Sequence, residues 1–159
     1  MMNLIFLDVD GVLNSQKFAD KMLREDNVDV FSEDLLDDHA IRLLKVLIDK
    51  TDSYVVLTST WRKHLESFDR LCQQLRKHGI TLYATIDRIS TNEHRGDDIT
   101  NWLKENHGNF MNYVILDDDS DMTIHMEHLV KTSFDEGLTR ADVDKAIEIL
   151  KGEKKDGVD

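Results

Sequence analysis

The hydrophobic positions of the chain fall into two alternating patterns. Short runs rich in β-branched and aromatic residues alternate with longer stretches in which apolar residues recur every three or four positions. Strands that alternate with helices in this way are typical of an α/β domain with a parallel sheet. The short runs predict five strands, at Asn3 to Asp8, Ser53 to Thr58, Ile80 to Ala84, Tyr113 to Asp117 and Leu129 to Thr132.

The longer stretches predict the helices between these strands. Residues 12–30 have no clear period and predict a turn, a short flap and room for one helix. Residues 1–150 form one predicted core domain, and residues 151–159 are a tail rich in Lys, Asp and Gly that we expect to be disordered. Regular helices are predicted from the N-cap Ser32 to Lys50, from Leu65 to the turn before Gly79, from Gly96 to Asn106, and after Thr139.

The composition narrows the range of partners. The chain has 32 Asp and Glu against 20 Lys and Arg, so its formal charge of −12 disfavours non-specific binding of nucleic acid. A nucleic acid is therefore expected only as a substrate, held by a local basic patch. The single cysteine, Cys72, excludes an intramolecular disulfide and fits a cytoplasmic protein. The apolar runs are far shorter than the ~20 residues of a spanning helix, so we expect no membrane partner.

Acidic residues follow two of the predicted strands. Asp8 and Asp10 come directly after the first strand, and four more acids follow the fourth strand, at Asp117, Asp118, Asp119 and Asp121. The carboxyl ends of parallel strands share one edge of the sheet, so both sets are expected to converge there. Converging carboxylates need a divalent cation, and oxygen ligands favour Mg²⁺. The alternative is that they are surface acids that stabilise helix N-termini.

Four motifs in order give the chain a family resemblance. The segment from Leu4 to Asn14, an apolar strand followed by Asp-x-Asp-Gly, resembles the first motif of the haloacid dehalogenase (HAD) superfamily. Thr58 at the end of the second strand is similar to the hydroxyl residue of the second motif, with Ser59 as the alternative. Arg95 is similar to the cation of the third motif. The acids from residue 117 to residue 121 resemble the fourth motif. Asn14 either lines the pocket or satisfies a turn, and we favour the turn. The resemblance covers roughly residues 3 to 150.

The resemblance implies a role for each of these residues. Asp8 would be the nucleophile that accepts a phosphoryl group, and Asp10 the general acid and then the general base. Thr58, or Ser59 in its place, and Arg95 would bind the non-bridging phosphate oxygens. The implied activity is that of a phosphatase that hydrolyses phosphate monoesters.

The resemblance also implies a magnesium site. Asp8, the backbone carbonyl of Asp10, and Asp118 would hold the ion. Asp117 and Asp121 would add a ligand or orient its water molecules. Mg²⁺ is thus the expected cofactor.

The fold implied by the resemblance is a Rossmann-like three-layer sandwich with a five-stranded sheet of order 3-2-1-4-5. Neither interval between motifs has room for a full cap domain, so the pocket should be open to a small phosphorylated molecule or a macromolecular end. The stretch from Thr58 to Arg62 resembles that of small capless members linked to nucleic-acid end repair. Arg62 is either a clamp for a substrate phosphate or a solvated cation.

Two other classes of protein use similar parts. A phospho-acceptor receiver module also has an aspartate, Mg²⁺ and a parallel sheet, but its acceptor follows the third strand, which here ends at Ala84 without an acid. A catalytically silent metal-binding member of the same fold would bind Mg²⁺ without turnover. A phosphatase acting on a nucleotide, a nucleic-acid 3′-phosphate end or another phosphorylated molecule is the leading interpretation.

Overall fold

A computed structural model describes residues 2–86, 94–106 and 110–152, apart from the side chains of Arg62 and Lys63. Its strands are β1 (Met2–Leu7), β2 (Ser53–Leu57), β3 (Leu82–Thr85), β4 (Phe110–Asp117) and β5 (Leu129–Lys131). They form one sheet of order β3-β2-β1-β4-β5 in which all neighbours are parallel. The predicted order and direction are confirmed, and each predicted strand is present with ends shifted by a few residues at most.

Helices cover both faces of this sheet. The α-helices of the described residues are α1 (Gln16–Asp26), α2 (Asp38–Thr51), α3 (Leu65–Arg76), α4 (Arg95–Glu105) and α5 (Arg140–Lys151). On one face, Ile5 and Leu7 of β1 join a core with α2, α3 and α5. On the other face, Leu4 and Phe6 pack with α4. Successive residues of a strand point to opposite faces, so β1 is buried on both sides and the predicted three-layer architecture is confirmed.

The predicted start of the second helix is wrong. The helix α2 begins at Asp38, and its N-cap is Asp37, whose side chain accepts the N–H of His39. Ser32 belongs instead to a turn in which its hydroxyl donates to the carbonyl of Asp29. The N–H of Asp37 also donates to the carbonyl of Leu13, so tertiary contact fixes the later of two suitable caps.

The segment between β1 and β2 carries two helices and no cap domain. Its first helix, α1, is capped by Ser15, whose side chain accepts the N–H of Phe18. No helix of the described residues is long and apolar enough to cross a membrane. At the other end of the chain, α5 extends to Lys151, and residues 153–159 of the predicted tail lie outside the described residues.

Candidate active site

Three neighbouring strands end side by side at the carboxyl edge of the sheet. The N–H of Asp8 donates to the carbonyl of Leu116 at 3.0 Å, and the N–H of Thr58 donates to the carbonyl of Leu7 at 2.9 Å. These hydrogen bonds extend the strand pairing by one residue. The paired backbone at these strand ends therefore holds three side chains in one row, those of Asp8, Thr58 and Asp117.

Three carboxylates of this edge form a cluster. Asp8, Asp117 and Asp118 each contribute one oxygen atom, and these atoms all lie within 4.8 Å of one another. Asp117 is fully buried, and Asp8 is only 7% exposed. Buried acidic groups this close repel one another unless positive charge lies among them.

Arg95, the first residue of α4, supplies positive charge to this cluster. Its Nη1 atom lies 3.2 Å from Oδ1 of Asp8 and 3.3 Å from Oδ2 of Asp117. The same atom lies 3.5 Å from the hydroxyl of Thr58. Arg95 of the third motif thus contacts Asp8 and lies beside Thr58 of the second motif, although α4 is distant in sequence from β1 and β2.

The charges of the cluster do not balance. Burial, followed by the neighbouring Asp8 carboxylate, raises the pKa of Asp117 to about 8, although Arg95 opposes the shift. Burial also raises the pKa of Asp8, although Arg95 opposes that shift. Among the described residues, the buried Oδ2 atom of Asp117 has no hydrogen-bond partner, and its contact with Arg95 is an ion pair only. This donor set of carboxylate oxygens fits a hard divalent cation such as Mg²⁺.

Gly11 makes room for the third carboxylate. Its φ angle of +82° is in the left-handed region, and a Cβ atom at this position would overlap the carboxylate of Asp118. Asp118 therefore lies directly against the backbone of the Asp8 loop, which only glycine permits.

The loop after β4 is folded by its own side chains. Oδ1 of Asp117 accepts the N–H of Asp119 at 2.9 Å, and Oδ1 of Asp119 accepts the N–H of Asp121 at 3.1 Å. The carboxylate of Asp121 lies 2.7 Å from Nδ1 of His94, and its carbonyl accepts the N–H of Gly96. Asp121 is therefore outside the three-carboxylate cluster, and its role toward a metal stays a prediction.

Asp10 is held by two donors. The side-chain amide of Asn14 donates to Oδ1 of Asp10 at 2.7 Å, and the indole N–H of Trp61 donates to the same atom at 3.2 Å. Asn14 also accepts the N–H of Gly11, so it serves the turn as predicted and orients Asp10 as well. Because both donors use Oδ1, Oδ2 is the oxygen left to carry a proton.

The sequence favoured the turn role for Asn14 over a place in the pocket wall and gave Trp61 no role. Asn14 follows Asp10 by four residues in the first motif, and this spacing is a usable signal for a side chain that returns to the loop. Trp61 and Asp10 are 51 residues apart. Only the position of Trp61 just after the second motif indicates that it lies near the site.

The two candidate hydroxyls of the second motif have different surroundings. Thr58 donates its hydroxyl to the carbonyl of Leu7 and lies beside Arg95. The Ser59 side chain accepts the N–H of Trp61 and caps the 3₁₀ helix Thr60–Lys63. Thr58 thus lies beside the arginine of the cluster, and the Ser59 side chain caps a helix. Arg62, the predicted phosphate clamp, has a side chain outside the described residues.

Comparison with known proteins assigns this chain to a family. It has no significant match among curated proteins or among solved structures. The family described as the HAD domain in Swiss Army Knife RNA repair proteins matches residues 4–143, a span that contains all four motifs and the whole acidic cluster. The chain therefore belongs to this family and is a hydrolase of the HAD superfamily.

Proposed function

We propose that the protein is a Mg²⁺-dependent phosphatase that removes a terminal phosphate from a nucleic-acid end through an aspartyl phosphate on Asp8. The observation that carries this proposal is the contact between the buried Asp8 carboxylate and Arg95 beside two further carboxylates. A positioned carboxylate nucleophile, and a cation that can bind the oxygens of the transferred group, are what phosphoryl transfer requires.

The proposed reaction has two steps. In the first, a carboxylate oxygen of Asp8 attacks phosphorus, the bond from phosphorus to the leaving oxygen breaks, and Asp10 protonates that oxygen. In the second, Asp10 takes a proton from a water molecule whose oxygen attacks the phosphorus of the aspartyl phosphate, the bond between phosphorus and the Asp8 oxygen breaks, and inorganic phosphate leaves with the Asp8 carboxylate restored. Arg95 and Thr58 bind the non-bridging oxygens in both steps.

The residues of the cluster fit a Mg²⁺ ion. Asp8, Asp117 and Asp118 would hold it. Burial and, after it, the neighbouring carboxylates raise the pKa values of Asp8 and Asp117, and Arg95 opposes these shifts only in part. When bound, the ion supplies positive charge that favours ionised carboxylates and stabilises negative charge on the transferred phosphoryl group.

Two observations support a nucleic-acid substrate: the family description, and the lack of a cap domain between β1 and β2. The family description names RNA repair proteins, and removal of a terminal phosphate prepares an end for joining. The segment between β1 and β2 carries no cap domain over the site. A site with no cap domain among the described residues leaves room for the end of a polymer.

The test of this proposal is phosphate release from p-nitrophenyl phosphate, mononucleotides and 3′-phosphorylated oligoribonucleotides, with Mg²⁺ or with a chelator. We expect release that requires Mg²⁺ and a higher kcat/KM for the oligonucleotides. Release from small molecules only would overturn the nucleic-acid assignment. No release from any substrate, while Mg²⁺ binds, would favour the silent member of the fold.

Mg²⁺ should stabilise the folded protein through Asp118, and Gly11→Ala should remove much of this effect. At a Mg²⁺ concentration 100 times the dissociation constant, binding adds about 2.7 kcal/mol to the free energy of unfolding. For a chain of this size that raises the unfolding temperature by about 5 to 10 °C. A Cβ at Gly11 displaces Asp118, so affinity should fall about 10- to 100-fold. Thermal unfolding with increasing Mg²⁺ measures both effects.

The control for this change is Gly79→Ala. Gly79 also has a positive φ, +76°, but a Cβ there meets only the Lys45 side chain at 3.6 Å. Both variants carry similar backbone strain, and only one disturbs the cluster. Equal Mg²⁺ shifts in the two variants would contradict the placement of Asp118 at the metal.

Trp61→Phe should slow the enzyme selectively on substrates whose leaving group must be protonated. Without the indole N–H, Asp10 loses one of two donors that orient it. We expect kcat/KM to fall about 10-fold for a 3′-mononucleotide, the effect of about 1.4 kcal/mol from a charge-assisted hydrogen bond. For p-nitrophenyl phosphate, whose leaving group needs no proton, kcat/KM should change less than about 2-fold. The ratio of the two constants is the measurement.

The matched control is Trp102→Phe. Trp102 has the same 8% exposure as Trp61 but packs against Phe6 and Phe110 on the other face of the sheet. Its loss should affect both substrates alike. A Trp61→Phe variant with an unchanged ratio would show that Trp61 does not position Asp10.

A further inference from the structure

A cleft of about 490 Å³ lies beside the proposed active site. It is bounded by α1 and by the first residues of α2 and α5, with Ser15 and Thr139 in its wall. Since α2 leads from β1 to β2 and α5 follows β5, both helices begin at the carboxyl edge of the sheet. The helix starts that line the cleft therefore lie at the same edge of the sheet as Asp8.

The cleft is joined to the site through the chain itself. Asn14 binds Asp10, and the next residue, Ser15, lines the cleft and caps α1. The first N–H groups of α1 donate to the carbonyls of Phe134 and Asp135 after β5. These contacts fix α1 next to the Asp8 loop.

Three cations on α1 face this cleft. Lys17, Lys21 and Arg24 are spaced by four and three residues, so they lie on one side of the helix, about one per turn. All three are exposed, and within the described residues none forms an ion pair. Helix α1 buries none of its residues fully, so these charges are a surface feature.

The rest of the wall offsets this positive charge only in part. Arg140, in the first turn of α5, adds a fourth cation, and its partner Asp144 is exposed at 3.4 Å. Three acids line the cleft, and one of them, Asp37, is engaged as the N-cap of α2. In a chain with net charge −12, four cations against three acids is a local excess of positive charge. The N-termini of α2 and α5 add to it.

We propose that this cleft binds the phosphodiester backbone of a nucleic-acid strand whose terminal phosphate lies at Asp8. The proposal rests on the function proposed above and adds the surface that recognises the polymer. Phosphates neutralised along α1 explain how an acidic protein holds a polyanion, because binding depends on the local rather than the net charge. The volume of the cleft is within the range of about 300 to 1,000 Å³ for ligand sites.

The test removes the three cations of α1 together, in the variant Lys17→Ala/Lys21→Ala/Arg24→Ala. The matched control is Lys50→Ala/Arg76→Ala/Lys104→Ala, which removes two lysines and one arginine from the last turns of α2, α3 and α4 at the opposite edge of the sheet. Both variants change the net charge equally. Any difference between them reports the position of the charge.

Two readouts follow these variants. For a 3′-phosphorylated octaribonucleotide at low salt, kcat/KM should fall at least about 10-fold in the α1 variant. The slope of log affinity against log salt should become about 2 less steep, because each lost phosphate contact contributes ~0.7 to the slope. For p-nitrophenyl phosphate, kcat/KM of the α1 variant should stay within about 2-fold of the wild-type value. Fluorescence anisotropy with a labelled octamer lacking a terminal phosphate should show the same loss of binding without turnover.

The outcomes separate this inference from the function on which it rests. Equal losses in the α1 variant and its control, or equal losses on both substrates, would overturn the cleft as the binding surface. An octamer that binds wild type no better than a mononucleotide would overturn it too. If wild type releases no phosphate at all, the proposed function fails, and anisotropy alone then decides whether the cleft binds the strand.

Discussion

Replacement of Asp8 by Asn is expected to lower kcat for phosphate release by about four orders of magnitude or more. The amide is a poor nucleophile, and removal of a nucleophile that acts together with its neighbours commonly has effects of this size. The loss should be the same for p-nitrophenyl phosphate and for an oligonucleotide, because both substrates need the aspartyl phosphate. Steady-state phosphate release with saturating Mg²⁺ measures it.

The same variant should remain folded. In the absence of Mg²⁺, Asp8 is one of three clustered carboxylates, and burial raises its pKa despite Arg95. Loss of its charge relieves repulsion from Asp117, so the unfolding temperature without Mg²⁺ should equal or exceed that of wild type. Asp119→Asn neutralises an exposed carboxylate of the same loop and should keep near wild-type turnover. Turnover of Asp8→Asn within about 10-fold of wild type would place the nucleophile elsewhere.

The strand ends could be predicted because the sequence marks them sharply, whereas the order of the strands was implied by the family resemblance. The apolar run from Leu4 to Leu7 stops at Asp8, and the apolar run from Val114 to Leu116 stops at Asp117. A parallel sheet has only one carboxyl edge, so these two contrasts bring the acids together without further information. The fold class and the convergence of the acids both follow from this pattern.

Contacts between distant segments could not be predicted in the same way. Ser32 and Asp37 are both good N-caps, and the hydrogen bond from Asp37 to Leu13 selects the second. The indole of Trp61 reaches Asp10 only because β1 and β2 are adjacent in register. The cleft beside α1 depends on the packing of the loop after β5 against Ser15 and the residues that follow it.

Replacement of Arg95 by Ala should reduce both activity and stability. Arg95 contacts the nucleophile and lies beside the hydroxyl of Thr58, so its loss removes a donor to the transferred group and should lower kcat/KM about 10²- to 10³-fold. Breaking a buried ion pair costs about 3 to 5 kcal/mol. Because the pKa of Asp117 is already raised to about 8, protonation of Asp117 should keep the loss near the lower value. Kinetics and denaturant unfolding without Mg²⁺ measure the two effects.

The double variant Asp8→Asn/Arg95→Ala tests whether these charges form one unit. If Arg95 is needed chiefly to offset the clustered carboxylates, removing Asp8 as well should restore part of the stability that Arg95→Ala loses, so the two changes in unfolding free energy should not add. Phosphate release should stay at the level of Asp8→Asn, because a missing nucleophile cannot be lost twice. Additive changes in stability would mean that Arg95 stabilises the fold through its other contacts, independently of the charge on Asp8.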